Sequence, residues 1–202
     1  GTKSGTFDIV EGVPYTFTYG TPNDADHTIA VTGVIYKGSA TAFDMVIPAT
    51  TQIGGVTYAV TSIAGEAFGG NEYADLIGSD VNLSKLKIRS VEIPASIKSI
   101  GQYAFASYST TEWTKLESVA FADVGNSQLT TIGVRAFQGC GHLTSFTFPA
   151  NVATIEVAAF SAGNDAVKHS GIRTLTFQTK SATLPSSVSA SLTFSGVGYD
   201  GE

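Results

Sequence analysis

The chain has 202 residues, 43% of them hydrophobic, which is enough to bury one well-formed core, and only 14% charged against a usual quarter, which excludes a disordered chain. The net charge is −6 and the eleven Lys and Arg are scattered, so a nucleic-acid interface, which needs clustered cations, is excluded too. One cysteine, Cys140, rules out an internal disulfide, and no apolar run of about 18 residues marks a transmembrane helix.

The opening Gly1-Thr2-Lys3-Ser4-Gly5 has no apolar core like that of a signal peptide, and a leading Gly in place of Met reads as a processed or cloned start. Two alternating stretches follow, Tyr15-Thr16-Phe17-Thr18-Tyr19 and Ile29-Ala30-Val31-Thr32-Gly33-Val34. They predict hairpin-like strands around a polar loop at Thr21–His27. Ala42, Met45 and Ile47-Pro48 then echo a phrase that recurs further on. Residues 1–57 are therefore expected to form an N-terminal β cap that leads into a stack.

From residue 58 to 177 the chain repeats itself. The anchor is Ile-Gly-x-x-Ala-Phe, at Ile100–Phe105 and Ile132–Phe137, with looser copies at Ile63–Phe68 and Ile155–Phe160. A second phrase places apolar residues at i, i+3 and i+5: Ile88/Val91/Ile93, Leu116/Val119/Phe121, Leu143/Phe146/Phe148 and Ile172/Leu175/Phe177. Its alternation is that of a strand with one face inward, ended in two copies by Pro94 and Pro149. A third phrase runs into the anchor at Val60/Ile63, Ile97/Ile100, Leu129/Ile132 and Val152/Ile155 and predicts a second, shorter strand. Gly101 and Gly133 suit the turn after it, and the Ala-Phe pair suits a tight helical or 3₁₀ corner.

Ile132 to Ile155 sets a period of 23 residues, and four to five such units are expected. From each anchor Phe to the first residue of the next strand phrase the chain advances 20, 11, 6 and 12 positions, so extra length enters in one phase, at 69–87, 106–115 and 161–171. A further four residues enter between Phe121 and Leu129. That is the pattern of a coil with loops along one edge. About six large apolar side chains cannot offset the entropy of ordering one such unit, so each must be covered by its neighbours. The expected fold is a mainly β solenoid, a right-handed coil of short parallel strands with tight turns or 3₁₀ corners. After Phe177 the pattern decays; Leu184-Pro185 and Ser191-Leu192-Thr193-Phe194 suggest a closing strand, and residues 178–202 a C-terminal cap with a loose tail from Gly196.

The stretch Phe137-Gln138-Gly139-Cys140-Gly141-His142-Leu143-Thr144-Ser145-Phe146-Thr147-Phe148-Pro149-Ala150-Asn151-Val152-Ala153-Thr154-Ile155 resembles the BspA-type, or Treponema-type, leucine-rich repeat of bacterial surface proteins. Tyr58-Ala59-Val60-Thr61-Ser62-Ile63, preceded by Ile47-Pro48 and Gly54-Gly55, is similar to the lead-in of such proteins in gut Bacteroides. The resemblance covers about residues 40–177. It implies an extracellular or cell-surface protein, its signal or lipid anchor removed, often an adhesin or host-interaction module. It implies no catalytic residues. The position of the Asn ladder in more familiar leucine-rich repeats holds Ser96 in one unit and Asn151 in another, so a regular Asn-lined horseshoe is not expected.

Candidate chemistry is sparse. Gly196-Val197-Gly198-Tyr199-Asp200-Gly201 fits G-x-G-x-x-G but lacks the strand before and helix after that a dinucleotide needs. His27, His142 and His169 are far apart and Asn23-Asp24-Ala25-Asp26 does not complete a calcium loop, so neither metal nor cofactor is expected. Asn82-Leu83-Ser84 is a chance glycosylation sequon, and no G-x-S-x-G elbow occurs. Nor is there a motif for the carboxylate pair of a glycan-degrading enzyme. Cys140 reads as a buried structural thiol.

Two outward rows stand out instead. One is Ser90, Ser118, Ser145 and Thr174, with Glu92, Ala120, Thr147 and Thr176 two residues on; the other is Ser62, Ser99, Thr131 and Thr154. Hydroxyl side chains suit exposed strands for purely structural reasons, and they also make a flat face for a protein or glycan. Tyr73, Tyr108 and the single Trp113 lie in the inserted loops, as binding anchors or as a private mini-core. The expectation is a monomeric, non-catalytic surface interaction module, with a ligand-free structural spacer as the alternative.

Overall fold

The computed structural model describes residues 14–69, 87–106, 114–161 and 171–178. These form twelve strands: β1 Tyr15–Tyr19, β2 Thr28–Tyr36, β3 Phe43–Val46, β4 Thr50–Ile53, β5 Val56–Ile63, β6 Ile88–Ile93, β7 Ser99–Ile100, β8 Ser118–Phe121, β9 Thr131–Ile132, β10 Ser145–Phe148, β11 Thr154–Ile155 and β12 Thr174–Phe177. No helix occurs among the described residues. The strand phrase becomes β6, β8, β10 and β12, and the third phrase becomes β7, β9 and β11 together with the end of β5. Equivalent residues pair in parallel from coil to coil, as in Ile63–Ile100–Ile132–Ile155. The architecture is the mainly β leucine-rich solenoid that the phrases predict.

The core is built by stacking like on like. Ile63, Ile100, Ile132 and Ile155 are buried one above another, as are Ala67, Ala104, Ala136 and Ala159. The anchor phenylalanines form a column: Phe68 to Phe105 at 5.3 Å, Phe105 to Phe137 at 5.0 Å and Phe137 to Phe160 at 5.1 Å between ring centroids. The last two pairs are parallel within 10°. Neighbouring strands lie about 4.8 Å apart, so flat rings on successive coils meet face to face at nearly that spacing. Phe17 of β1 closes the column at its first end, edge-on to Phe68 at 6.3 Å.

The corner before each Phe is the tight turn of the two expected alternatives, with no helical or 3₁₀ segment. In all four copies the residue two before Phe is left-handed: Glu66 at φ 59°, Tyr103 at 56°, Arg135 at 54° and Ala158 at 58°. None is glycine, so each carries a steric penalty of roughly 1–2 kcal/mol. The corner offsets it by turning its amides toward the next coil. Phe68, Phe105 and Phe137 donate their N–H to the carbonyls of Ala104, Ala136 and Ala159, each at 2.7 Å. The left-handed residues donate likewise, Glu66 to Gln102, Tyr103 to Val134 and Arg135 to Val157. The backbones come close enough that a Cβ on Gly133 would lie 2.8 Å from the Gln102 nitrogen, which is why glycine stands there.

The hairpin that the two alternating stretches predict forms from Tyr15 to Tyr36, with one addition further on. β1 and β2 pair antiparallel, and β2 then joins β5 in parallel, so the cap shares the sheet of the repeats. Between them Asn23 holds the polar loop, its Oδ1 accepting from the Ala25 and Asp26 amides. The addition is β4, which folds back on β5 through Gly54 and Gly55. Both have positive φ, as a two-residue hairpin turn of this kind demands. β5 thus serves both the hairpin and the first coil. The echo at Met45 becomes β3, paired in parallel with β6. In place of a regular Asn ladder there are two scattered bonds: Ser96 Oγ donates to the Val60 carbonyl and Asn151 Nδ2 to that of Ser127, both at 2.8 Å.

The left-handed corner can be tested at Ala158. Ala158→Val is expected to lose about 1–2 kcal/mol in a urea melt, while Ala158→Gly holds or gains stability. A helical corner would give the opposite ranking, since glycine lowers helix stability by about 1 kcal/mol.

Candidate interaction surface

The outward side of the strand-phrase strands carries the first predicted row. Ser90 pairs with Ser118 and Glu92 with Ala120 across β6 and β8; Ser145 pairs with Thr174 and Thr147 with Thr176 across β10 and β12. Glu92, Ser118, Ser145, Thr174 and Thr176 are exposed, and Ser90 and Thr147 half-buried. The row is not one continuous ladder, however. β3, β6 and β8 form one sheet and β10 and β12 another, with no strand pairing between β8 and β10. The four residues added between Phe121 and Leu129 belong to a turn at that break, where Asp123 accepts bonds from the Asn126 amide and side chain. The hydroxyl face is therefore two short panels.

Those panels differ in chemistry. On the first, β3 extends the row by a rung that the sequence phrases did not reveal, with Asp44 opposite Ser90. Arg89 grips Asp44 through two nitrogens, and Ser90 Oγ donates to Asp44 Oδ1 at 2.6 Å. Ser90 is thus engaged by its own protein. The Arg89 hydrogen bonds, helped by Ser90, hold the Asp44 carboxyl down at about 2. Both partners are half-exposed, so the pair adds little stability, and that little is lost as pH falls through the lowered value. On the second panel, the hydroxyls of Ser145, Thr147, Thr174 and Thr176 have no hydrogen-bond partner among the described residues, and the same holds for Ser118.

The second predicted row is in perfect register: Ser62, Ser99, Thr131 and Thr154 oppose one another through β5, β7, β9 and β11. All four are half-buried, so they offer less surface than the first row. Along the corners lies a group absent from either row, where Arg135 Nη1 donates to the Tyr103 hydroxyl at 2.7 Å and lies over its ring. Both occupy the left-handed position, whose side chains the phrases treat as variable. Tyr73, Tyr108 and Trp113 lie outside the described residues, as do His169, the Asn82 sequon, the Gly196–Gly201 segment and Leu184–Phe194.

The other residues weighed for chemistry have structural partners. Tyr58 Oη donates to Asp24 Oδ1 at 2.6 Å, which raises the Tyr58 phenol above its ordinary range. Asn23 Nδ2 holds Asp26 at 2.9 Å, so both carboxylates of the Asn23–Asp26 turn are committed within the cap. Among the described residues no three His, Cys, Asp or Glu side chains gather as a metal site would require. Cys140 is buried as expected, its Sγ donating to the Phe105 carbonyl at 3.3 Å. Burial pushes its thiol up to about 12, the Thr114 hydroxyl opposing this weakly.

Two measurements follow from these charges. A carbon-detected titration is expected to place the Asp44 midpoint near 2, and Arg89→Ala to return it toward the usual carboxylate range. Cys140 should resist a thiol reagent at pH 8 in the folded chain and react fully in denaturant, since almost no thiolate forms until the thiol is exposed.

Comparison with known proteins places this geometry. The structure is similar to the pneumococcal vaccine antigen PcpA, with TM-score 0.59 and 23% identity over 89% of this chain and 40% of the antigen. It is similar also to a leucine-rich repeat protein from Bacteroides capillosus, with TM-score 0.52 and 26% identity over 84% of this chain and 97% of that one. A leucine-rich cell surface protein from Faecalibacterium prausnitzii gives TM-score 0.53 and 23% identity over 87% of this chain and 43% of its own. The chain thus spans less than half of the first and third of these. No curated protein matches. The model of the BspA type leucine rich repeat region matches in six copies across residues 56–166, more copies than the four to five units counted from the phrases. That span is more than half of the sequence, and the chain belongs to the BspA-type leucine-rich repeat family.

Proposed function

We propose that this chain is a non-catalytic interaction module of a bacterial cell-surface protein, and that its outward strand face takes a protein or glycan partner. The observation that carries this reading is the panel of exposed hydroxyls at Ser145, Thr174 and Thr176 across β10 and β12, which spend no hydrogen bonds on their own protein among the described residues. Small polar side chains on a rigid sheet lose little entropy when they meet a partner, and they leave the face flat enough for a broad one. The Faecalibacterium protein of similar fold is described as a cell surface protein, and the pneumococcal one as a vaccine antigen, which suits an extracellular setting. Among the described residues no helix is long and apolar enough to cross a membrane, so attachment to a surface would come from elsewhere. Thr147 pairs with Thr176 within the panel, Glu92 and Ser118 belong to the first panel, on β6 and β8, and Tyr73, Tyr108 and Trp113 of the inserted segments would add aromatic anchors.

The test is a binding screen of the purified chain against matrix proteins and a glycan array, repeated with Ser145→Arg/Thr174→Arg and with Trp113→Ala. Loss of binding by about tenfold or more in the arginine variant, at unchanged Tm, is the expected result. Binding indifferent to the arginines would move the site off this face, and an unchanged Trp113→Ala would remove that residue from it. Silence of the parent chain on both panels would favour the structural spacer.

A further inference from the structure

Cations that are scattered along this acidic sequence are brought together by the coil. Of the seven described Lys and Arg, four flank the first inward residue of a strand phrase. Lys87 and Lys115 stand one residue before it, where the β10 coil has His142, and Arg89 and Arg173 stand one residue after it. Backbone bonds set these positions in register: the Glu117 N–H donates to the Arg89 carbonyl and the Arg173 N–H to that of Thr144. The N-terminal end of the outward strand face is therefore a basic border that crosses the coils. Of the eight described Asp and Glu, Glu117 alone stands in these positions, and Asp44 faces them from β3.

The charges of this border are not equally available. Arg89 is spent on Asp44, with the Glu117 carboxylate also acting on it. Lys87 lies over the Tyr36 ring, 5.5 Å from its centroid. Lys115 and Arg173 are exposed, and their side chains have no ion pair or hydrogen bond among the described residues. Arg173 directly precedes Thr174, and its coil neighbour Thr144 precedes Ser145. The free guanidinium thus stands at the head of the hydroxyl panel on β10 and β12. In a chain of net charge −6, a cation left without a counter-charge of its own draws an anion from outside.

Taking that panel as a binding face, on which this inference rests, we propose that its partner is an acidic glycan, a polysaccharide bearing carboxylate or sulfate groups. Arg173 and Lys115 hold the anionic groups, and Ser145, Thr174 and Thr176 meet the sugar hydroxyls. A guanidinium fork matches two oxygens of one anion at once. Each Ser or Thr hydroxyl both donates and accepts, as a sugar hydroxyl does. Lys115 stands two coils from Arg173, at least about 10 Å at ladder spacing, so a polymer reaches both charges and a monosaccharide does not. A protein partner fits less well: the outward positions of β10 and β12 hold Thr144, Ser145, Thr147, Arg173, Thr174 and Thr176, with none of the large apolar or aromatic anchors on which protein interfaces centre.

The test measures binding of the full chain to polygalacturonate oligomers, heparin oligosaccharides, a neutral maltose oligomer and a polyglutamate peptide. At least one acidic glycan is expected to bind at low salt and to weaken as salt rises, and which of the two binds decides between carboxylate and sulfate. Lys115→Gln/Arg173→Gln should weaken that binding by about tenfold. Glu117→Gln should tighten it by removing the one like charge in the border, and Lys98→Gln, an exposed lysine elsewhere, should leave it unchanged. Polyglutamate bound as tightly as the acidic glycans, or a loss in Lys98→Gln equal to that in the double variant, would overturn the proposal. So would acidic glycans that stay silent while a neutral glycan or matrix protein binds through Ser145 and Thr174, a result that leaves the binding face itself standing. Silence of every probe and every matrix protein would sink both.

Discussion

Stacking at the spacing of a β ladder is the constraint on which everything else in this protein rests. Once successive coils are joined by backbone hydrogen bonds, each inward side chain sits about 4.8 Å from its counterpart above and below. Only certain residues tolerate that repetition. Phenylalanine does so as a parallel column, with centroids 5.0 and 5.1 Å apart along Phe105, Phe137 and Phe160. Alanine does so where two corners nearly touch, and glycine where a Cβ would strike the neighbouring backbone, as at Gly133. The anchor phrase is the list of side chains that can be repeated at this pitch.

The same constraint explains why strain is accepted at the corners. A chain that must reverse within a few residues and still point its amides along the coil axis needs a left-handed residue there, and the Phe-to-Ala carbonyl bonds at 2.7 Å recur at each step because that conformation aims them. The penalty is local to one residue, whereas the bonds and ring contacts it permits are shared with the neighbouring coil. At the first end the cap meets the same demand by other means. Phe17 covers the column and the Tyr15 hydroxyl accepts the Val46 amide at the edge of β3. An edge that would otherwise present bare donors is thereby blunted.

On the outside, repetition has a different consequence. Positions that face solvent are lifted into rows by the inward positions, whatever chemistry they carry. A row becomes a surface only where its members are not spent on one another. At the Asp44, Arg89 and Ser90 rung they are, with a bidentate pair and a hydroxyl all directed inward to one carboxylate. Across β10 and β12 they are not. The proposed binding panel is accordingly the half of the face that lies past the break after β8.

The repeat, its strands, the core residues and the register of both hydroxyl rows could all be read from the sequence, because each follows from which side chains recur at one phase. Ile63, Ile100, Ile132 and Ile155 announce themselves by identity alone. What the tertiary structure decided concerns positions where no side chain recurs or where partners are far apart in the chain. Glu66, Tyr103, Arg135 and Ala158 share a backbone conformation and no side-chain chemistry, so the left-handed corner left no trace in the phrases. Asp44 and Arg89 are 45 residues apart, and only the pairing of β3 with β6 brings them together. The parting of β8 from β10 was foreshadowed by four extra residues, but extra residues can loop out without disturbing a ladder. Whether they do depends on where the neighbouring coil can follow, and that is settled in three dimensions.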